Sequence, residues 1–266
     1  MKQLFKRYAR KDKKKINGFK KIWHWIRNIF LTLFVLSLFF VLLFKYVPVY
    51  YTPLMLIRSV EQIKTGKKIH IAHRWIPLSE ISQNLIQAVV ASEDNLFLVH
   101  DGFSFEQIEL AYREAAQGKR VRGGSTISQQ TAKNVFLTPS RSWIRKGLEA
   151  YFTILIEFVW GKERIMEVYL NSIEMGDGIF GAQAVAESHF HKPASKLTVA
   201  DAALIAATLP NPRKYNSAKP SAYLLKRQAK ITSLMPKIIR VEFDKTTVQK
   251  HKEYGKKLKE KKKKKK

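Results

Sequence analysis

The sequence predicts a mainly α-helical domain that follows a single N-terminal transmembrane helix. Three observations predict this: one long uncharged apolar run near the N-terminus, apolar residues at helical spacing through residues 79–240, and few, short strand patterns. The 266 residues suffice for one large domain or two small ones. A content of 45% hydrophobic and 26% charged residues is typical of a globular chain.

The transmembrane prediction rests on residues 28–44, a run of 17 uncharged residues with tryptophans before it and tyrosines after it. The run has no polar face, which argues against a buried core helix. No small-residue cleavage site follows it, which argues against a cleaved signal peptide. We therefore predict an uncleaved signal anchor over residues 28–47.

The net charge of +28 is concentrated at the two ends of the chain. Residues 1–27 hold eleven basic residues and one acidic residue, and residues 245–266 hold twelve and two. Of the basic clusters beside the anchor, the denser one lies on its N-terminal side. Residues 1–27 are therefore predicted to be cytoplasmic and the domain periplasmic or extracellular. The predicted location is the plasma (inner) membrane. Residues 245–266 are predicted to form a Lys-rich disordered tail. The absence of cysteine excludes disulfides, thiolate metal sites and a cysteine nucleophile.

The remaining chain divides into a juxtamembrane connector over residues 48–74 and a domain over residues 75–244. The connector contains two prolines and a basic KTGKK stretch. Within the domain, a capping-box pattern at residues 126–129 predicts a helix that ends near Phe136. Further helices are predicted around residues 81–89, 143–160, 162–171 and from 198 to the prolines at 210 and 212.

Two clusters of chemically active residues lie before residue 135. Glu93-Asp-Asn-Leu-Phe97-Leu-Val-His100 follows an apolar helical pattern, where acidic residues oppose the helix dipole. Gly123-Gly-Ser-Thr-Ile-Ser-Gln-Gln130 leads into the capped helix that carries Lys133, and a helix start of this kind is a ready anion site. Taken alone, the first cluster is more often a solvated loop and the second an ordinary turn.

Two further clusters follow. Arg145 and Glu149 are four residues apart on one predicted helix, which alone would indicate a surface ion pair of small energetic value. Tyr169-Leu-Asn171 and the glycines at 176, 178 and 181 indicate a helix end, a loop and a new helix.

In this order and spacing, the four clusters resemble the peptidoglycan glycosyltransferase family. That family comprises the monofunctional biosynthetic transglycosylases and the glycosyltransferase domains of class A penicillin-binding proteins. The resemblance covers residues 75–215 and implies a lysozyme-like glycosyltransferase domain. One departure is Ser104, where the family usually has Asp.

The resemblance implies polymerisation of lipid II, a disaccharide-peptide on undecaprenyl diphosphate, with inversion at the anomeric carbon and release of the lipid diphosphate. Glu93 resembles the catalytic base, which deprotonates the 4-hydroxyl of the acceptor sugar. Glu149 resembles the second essential carboxylate, on the donor side. The positions that resemble substrate-binding residues are Ser125, Gln129, Gln130, Lys133, Arg141 and Arg145.

The resemblance also implies partners and cofactors. The partners are lipid II, the growing glycan chain and the membrane, with penicillin-binding transpeptidases and division or elongation proteins as protein partners; nucleic acid is not expected. No cofactor is expected to be required, although family members often respond to Mg²⁺ or Mn²⁺. We interpret His189 and His191 as loop or helix-end histidines rather than as metal ligands.

Two other classes of function fit the sequence less well. A lysozyme-like hydrolase or lytic transglycosylase acting on finished glycan would share the fold, but it has no use for the motifs that serve a lipid diphosphate donor. A non-enzymatic basic membrane protein would fit the charge, but not the presence of both Glu93 and Glu149. A transpeptidase domain is not expected, because no Ser-x-x-Lys occurs and Lys64-Thr-Gly66 precedes the domain.

Overall fold

The computed structural model describes residues 2–104, 109, 116–118, 124–140 and 142–263 of the chain. The chain divides into two compact units, Met1–Tyr46 and Val47–Lys266. The first unit is helix α1, Lys2–Tyr46. Its 27 residues from Lys20 to Tyr46 are long and apolar enough to cross a membrane. At 1.5 Å per residue they extend about 40 Å, against about 30 Å for the bilayer core.

The second unit is mainly helical, as the sequence predicts. Its helices are α2 Pro53–Lys64, α3 Gln83–Glu93, α4 Ile127–Phe136, α5 Trp143–Val159, α6 Gly161–Ser172, α7 Ala182–Phe190, α8 Val199–Thr208, α9 Ala222–Leu234 and α10 Lys245–Lys263. One small sheet contains β1 Ala72–His73, β2 Glu174–Gly176 and β3 Ile179–Phe180. The strand order is β1-β3-β2, with β1 parallel and β2 antiparallel to β3.

The predicted capping box at residues 126–129 is present, and a second capping box begins the helix predicted from residue 198. At α4, the Thr126 hydroxyl accepts from the Gln129 backbone N–H, and the Gln129 side chain accepts from the Thr126 backbone N–H at 3.0 Å. At α8, Thr198 and Asp201 make the same reciprocal pair. Each pair satisfies donors that a helix N-terminus otherwise leaves free.

The core has two helical groups. In one, the alanine-rich α8 packs between α3 and α9, and its small side chains permit close approach of the backbones. In the other, α4 packs on α5 and α6. There the Phe136 and Phe152 rings stack with centroids 4.4 Å apart.

The predicted connector is not a separate segment, so the domain boundary moves from residue 75 to Val47. Helix α2 and strand β1 both form from residues 48–74, and β1 pairs with β3. The Arg58 guanidinium on α2 donates from Nε and Nη2 to the buried Glu174 carboxylate at 3.0–3.2 Å. Since Glu174 lies 116 residues further along the chain, no local pattern could show this attachment.

The predicted disordered tail is corrected as well, because residues 245–263 form α10. Val248, His251 and Gly255 face inward at helical spacing, and His251 Nε2 lies 3.2 Å from the Arg240 carbonyl oxygen. At Gly255 a Cβ atom would lie only 2.2 Å from Val99 Cγ1, so this contact requires glycine. The lysine-rich composition concealed the apolar stripe on which the helix packs.

Candidate active site

Glu93 is the last residue of α3, and its carboxylate is largely withdrawn from solvent. The Gln130 side-chain amide on α4 donates from Nε2 to Glu93 Oε2 at 3.1 Å. Burial raises the pKa of Glu93 above its ordinary value, although the Gln130 hydrogen bond and the charge of Arg227 oppose the rise. A carboxylate with a raised pKa is a stronger base once it is ionised, which suits it to accept a proton from a sugar hydroxyl.

The neighbouring Asp94 explains why two acidic residues stand at a helix C-terminus. Its buried carboxylate accepts from the Ile127 backbone N–H at 3.0 Å, at the first residue of α4. It also lies 2.9 Å from His100 Nε2. Because the Gly102 N–H donates to His100 Nδ1 at 3.1 Å, Nε2 carries the imidazole proton and donates to Asp94. Asp94 therefore joins the end of α3 to the positive end of the α4 dipole.

A second buried polar group holds α4 against its other neighbours. Ser128 on α4 donates to Glu157 Oε1 on α5 at 2.5 Å, and Lys162 on α6 donates to the same oxygen at 2.6 Å. The Lys162 ammonium also lies 4.7 Å from the centroid of the Phe97 ring. Burial lowers the pKa of Lys162, while Glu157, Asp94 and Asp101 oppose that change. No local sequence pattern indicates this group.

Glu149 on α5 lies in a cluster of cations. Its carboxylate is buried and accepts from Arg145 Nη1 at 2.6 Å and from the Lys146 ammonium. Lys133 on α4 faces the same cluster, and burial lowers its pKa, an effect that Glu149 opposes and the charges of Arg145 and Lys146 reinforce. Within the part of the chain that the structure describes, the Lys133 ammonium makes no hydrogen bond or ion pair. Three cations around one carboxylate leave excess positive charge for an anionic ligand.

Helix α4 connects these two clusters. Gln130 and Lys133 are three residues apart and share one face of the helix. Gln130 contacts Glu93, and Lys133 interacts with Glu149. A single helix therefore serves both carboxylates, which are 56 residues apart in the sequence.

The other predicted site residues have different positions. Ser125 is half-buried immediately before the α4 N-cap. Gln129 is buried, and its side-chain oxygen is used by the capping box, so it acts in the structure as part of the helix start. Arg141 lies outside the described residues. Ser104, which departs from the family pattern, is buried.

The two histidines that the sequence places at a loop or helix end, rather than among metal ligands, are His189 and His191. His189 Nδ1 lies 2.7 Å from the Ser217 hydroxyl, and His191 ends α7 in a left-handed conformation. Among the described residues, no three His, Asp or Glu side chains converge as metal ligands. Assistance by Mg²⁺ or Mn²⁺ therefore rests on the resemblance alone.

Two residues near Glu93 were missed as individual site residues. Arg227 on α9 acts electrostatically on Glu93, and its Nε is buried without a hydrogen-bond partner among the described residues. It stands in a basic helix, where its sequence context is that of a solvated charge. Tyr169 on α6 is fully buried, and its hydroxyl donates to Gln130 Oε1 at 3.3 Å. Tyr169 belongs to the quoted Tyr-Leu-Asn motif, but no local pattern indicates that its hydroxyl bonds to Gln130.

Comparison with known proteins gives concordant matches. A family model described as Transglycosylase matches residues 60–236. A biosynthetic peptidoglycan transglycosylase of Bacteroides thetaiotaomicron is 58% identical over 216 residues, covering 81% of this chain and 87% of the relative. Proteins with the same name from Bdellovibrio bacteriovorus and Caulobacter vibrioides are 52% and 50% identical, covering 78% and 77% of this chain and 83% and 89% of the relatives. The family match includes Glu93, Glu149 and the helices that carry them.

Proposed function

The chain belongs to the transglycosylase family and polymerises peptidoglycan glycan chains as a glycosyltransferase, and we propose that its substrate is lipid II. In each cycle the acceptor 4-hydroxyl oxygen attacks the anomeric carbon of the donor chain. The bond from that carbon to the diphosphate oxygen breaks, and undecaprenyl diphosphate leaves with inversion. The product is a linear β-1,4 glycan strand that is longer by one disaccharide.

Glu93 is the general base in this proposal. A sugar hydroxyl is a poor nucleophile, so a carboxylate must remove its proton as the new bond forms. The raised pKa of Glu93 and its partial burial support this role, and Gln130 holds one carboxylate oxygen in a fixed position. The other oxygen, Oε1, is the one that receives the proton.

Lys133 and Arg145 bind the donor diphosphate, with Ser125 and Arg141 assigned to the same site from the family resemblance. The leaving diphosphate gains negative charge in the transition state, and preformed cations stabilise that charge. Glu149 holds Arg145 and Lys146 in place through its hydrogen bonds. One observation carries the proposal. On a single face of α4, Gln130 donates a hydrogen bond to Glu93, and Lys133 lies one turn further on, beside the cation cluster.

The enzyme works at the membrane surface in this proposal, with its N-terminus cytoplasmic and its domain periplasmic or extracellular. The apolar helix Lys20–Tyr46 supports a membrane anchor. A second support is an apolar stripe on α5: Trp143 and Phe158 are 92% and 90% exposed, and Ile144, Leu148 and Ile154 are exposed between them. An apolar surface of this kind is typical of contact with lipid or with another protein, and a lipid-linked substrate favours lipid. Transpeptidases and division or elongation proteins remain predicted protein partners.

Incubation of the full chain with labelled lipid II in detergent tests the reaction. We expect long lipid-linked glycan and stoichiometric release of undecaprenyl diphosphate. A parallel incubation with finished, lipid-free glycan separates the alternative, because a hydrolase or lytic transglycosylase shortens that polymer. Shortening of finished glycan without any polymer from lipid II would overturn the proposal.

A further inference from the structure

The hydrogen bond between Tyr169 and Gln130 has a chemical consequence for Glu93. The Tyr169 hydroxyl is buried in the core and donates to Gln130 Oε1 at 3.3 Å. The opposite end of the same amide, Nε2, donates to Glu93 Oε2 at 3.1 Å. Gln130 thus lies between a buried phenol and the carboxylate, with one end of its amide on each.

The amide of a glutamine has two ends of similar shape and opposite hydrogen-bonding character. With Nε2 toward Glu93, Gln130 stabilises the ionised carboxylate. If the amide turned over, its oxygen would face Glu93 and could accept a hydrogen bond only from the protonated carboxyl. In that orientation the Tyr169 proton would face an NH₂ group and lose its acceptor, and a buried donor without an acceptor is unfavourable.

We propose that Tyr169 is a positioning residue whose hydroxyl fixes the orientation of the Gln130 amide and so keeps its NH₂ group on Glu93. Tyr169 touches neither substrate nor reacting atoms and acts through Gln130. The inference rests on the proposed role of Glu93 as general base. It adds a distinct claim, that the ionised form of the base depends on a phenol that does not contact it through a hydrogen bond.

Other charged and titratable groups also influence the ionisation of Glu93, and Tyr169→Phe leaves their charges unchanged. From its own segment Asp94 opposes ionisation, and from α9 Arg227 favours it. From α6 Tyr169 is itself held neutral, since burial and the charges of Glu93 and Asp94 raise its pKa well above the ordinary value. On α8, which packs along α3, Asp201 is paired with Lys192. Tyr169→Phe changes none of these charges, so a change in the titration of Glu93 reports on the amide.

The first measurement is the pH dependence of kcat/KM for the full chain carrying Tyr169→Phe. Without the hydroxyl the amide can turn over and stabilise the protonated carboxyl. We expect the acid limb to move up by about half to one pH unit, which is a roughly threefold to tenfold lower rate below the limb, while the plateau at higher pH stays close to wild type. The matched control is Tyr254→Phe on α10, which removes a phenol from an exposed position and should leave the limb in place.

The second measurement uses Gln130→Met, which keeps the length of the side chain but has no amide to turn. This variant should itself raise the acid limb, because the ionised carboxylate loses its donor. Adding Tyr169→Phe to Gln130→Met should then move the limb no further. If Tyr169→Phe does not fold, as judged by its thermal midpoint, the Gln130→Met profile alone decides whether this amide sets the limb.

Any of three results would overturn the inference. The acid limb could stay in place in Gln130→Met, Tyr169→Phe could lose the same fraction of its rate at every pH, or the two shifts could add in the double variant. Glu93→Gln separates this failure from failure of the proposed function. If Glu93→Gln retains normal turnover, the assignment of the base is wrong. If Glu93→Gln is inactive and the Tyr169→Phe limb is unmoved, only the positioning role is wrong.

Discussion

At the residue scale, the partly buried carboxylate of Glu93, the proposed base, also influences folding stability. We expect Glu93→Gln to lower polymerisation by at least ~10²-fold, because an amide keeps the shape but cannot accept the hydroxyl proton. The same change should stabilise the fold at neutral pH. A raised folded-state pKa means that the stability linked to this group is fully present below the unfolded value of about 4.3 and is lost as pH rises through the folded value.

Thermal midpoints of wild type and Glu93→Gln at pH 4 and pH 7 measure this linkage. The advantage of the variant should be large at pH 7 and close to zero at pH 4, where both side chains are neutral. Glu80→Gln is the matched control, since Glu80 is exposed. A difference in midpoint that does not change with pH would contradict the linkage, and normal turnover would contradict the assignment of the base.

Lys133 gives a second prediction at this scale. In the proposed mechanism the positive charge of Lys133 binds the diphosphate. Because burial lowers the pKa of Lys133, donor binding should begin to weaken, as pH rises, below the usual lysine range. Lys133→Ala should lower donor use about tenfold or more and acceptor use much less. Lys133→Arg should move the basic limb of the pH profile upward, because a guanidinium stays protonated.

Kinetics with separate donor and acceptor analogues check the Lys133 assignment. Lys230→Ala, which removes an exposed lysine from α9, is the control for a change in net charge. Equal losses with both analogues would show that Lys133 is not a donor-site residue.

At the scale of elements, the contact between α10 and Val99 predicts that the effect of Gly255→Ala on the free energy of unfolding changes sign when Val99 is shortened. Gly255→Ala places a Cβ atom 2.2 Å from Val99 Cγ1 and should destabilise the domain by about 1–3 kcal/mol through overpacking. In a Val99→Ala background the clash is removed. There, Gly255→Ala should be neutral or stabilise by up to about 1 kcal/mol, because alanine has the higher helix propensity.

Denaturant unfolding of the four proteins in this cycle supplies the free energies of unfolding. If Gly255→Ala destabilises equally in both backgrounds, α10 does not pack on Val99.

Elements whose signals are local were predicted well from the sequence. The α4 and α8 starts were readable because each capping box lies within four residues. The attachment of α2 was not, because Arg58 and Glu174 are 116 residues apart. In the candidate site, the motifs proposed Glu93, Lys133 and Glu149. They did not show that the Gln129 side chain caps a helix while the Gln130 side chain contacts Glu93. Capping boxes and apolar spacing are sequence patterns, whereas the partners of a buried polar side chain depend on tertiary packing.

At the scale of the whole molecule, the basic surface of α10 predicts a response to membrane charge. Lys250, Lys252, Lys256 and Lys257 are exposed on this helix. Near an anionic membrane each contributes up to about 1 kcal/mol of attraction, which salt screens. Because α10 is packed, changing these four lysines to glutamine is a cleaner test than deleting residues 245–266. The variant should keep wild-type turnover in detergent and lose activity in anionic liposomes at low salt.

Reconstitution at two salt concentrations measures the effect, which should shrink as salt rises. The control replaces four exposed lysines elsewhere, Lys219, Lys226, Lys230 and Lys237. Equal activity of the α10 variant and wild type in low-salt anionic liposomes would leave this surface without a role in membrane attraction.

Gln130 and Lys133 both lie on α4, and this placement affects how thermal motion changes the distance between them. Three residues correspond to about 4.5 Å along a helix axis, and that spacing is set by backbone hydrogen bonds rather than by loops. When α4 shifts as a rigid rod, Gln130 and Lys133 shift together. In the proposed mechanism, one helix therefore sets the distance between the residue that holds the base and the residue that binds the donor diphosphate, and this distance stays constant when the surrounding domain moves. An enzyme that repeats one addition many times on a long product benefits when this distance is the same in every cycle.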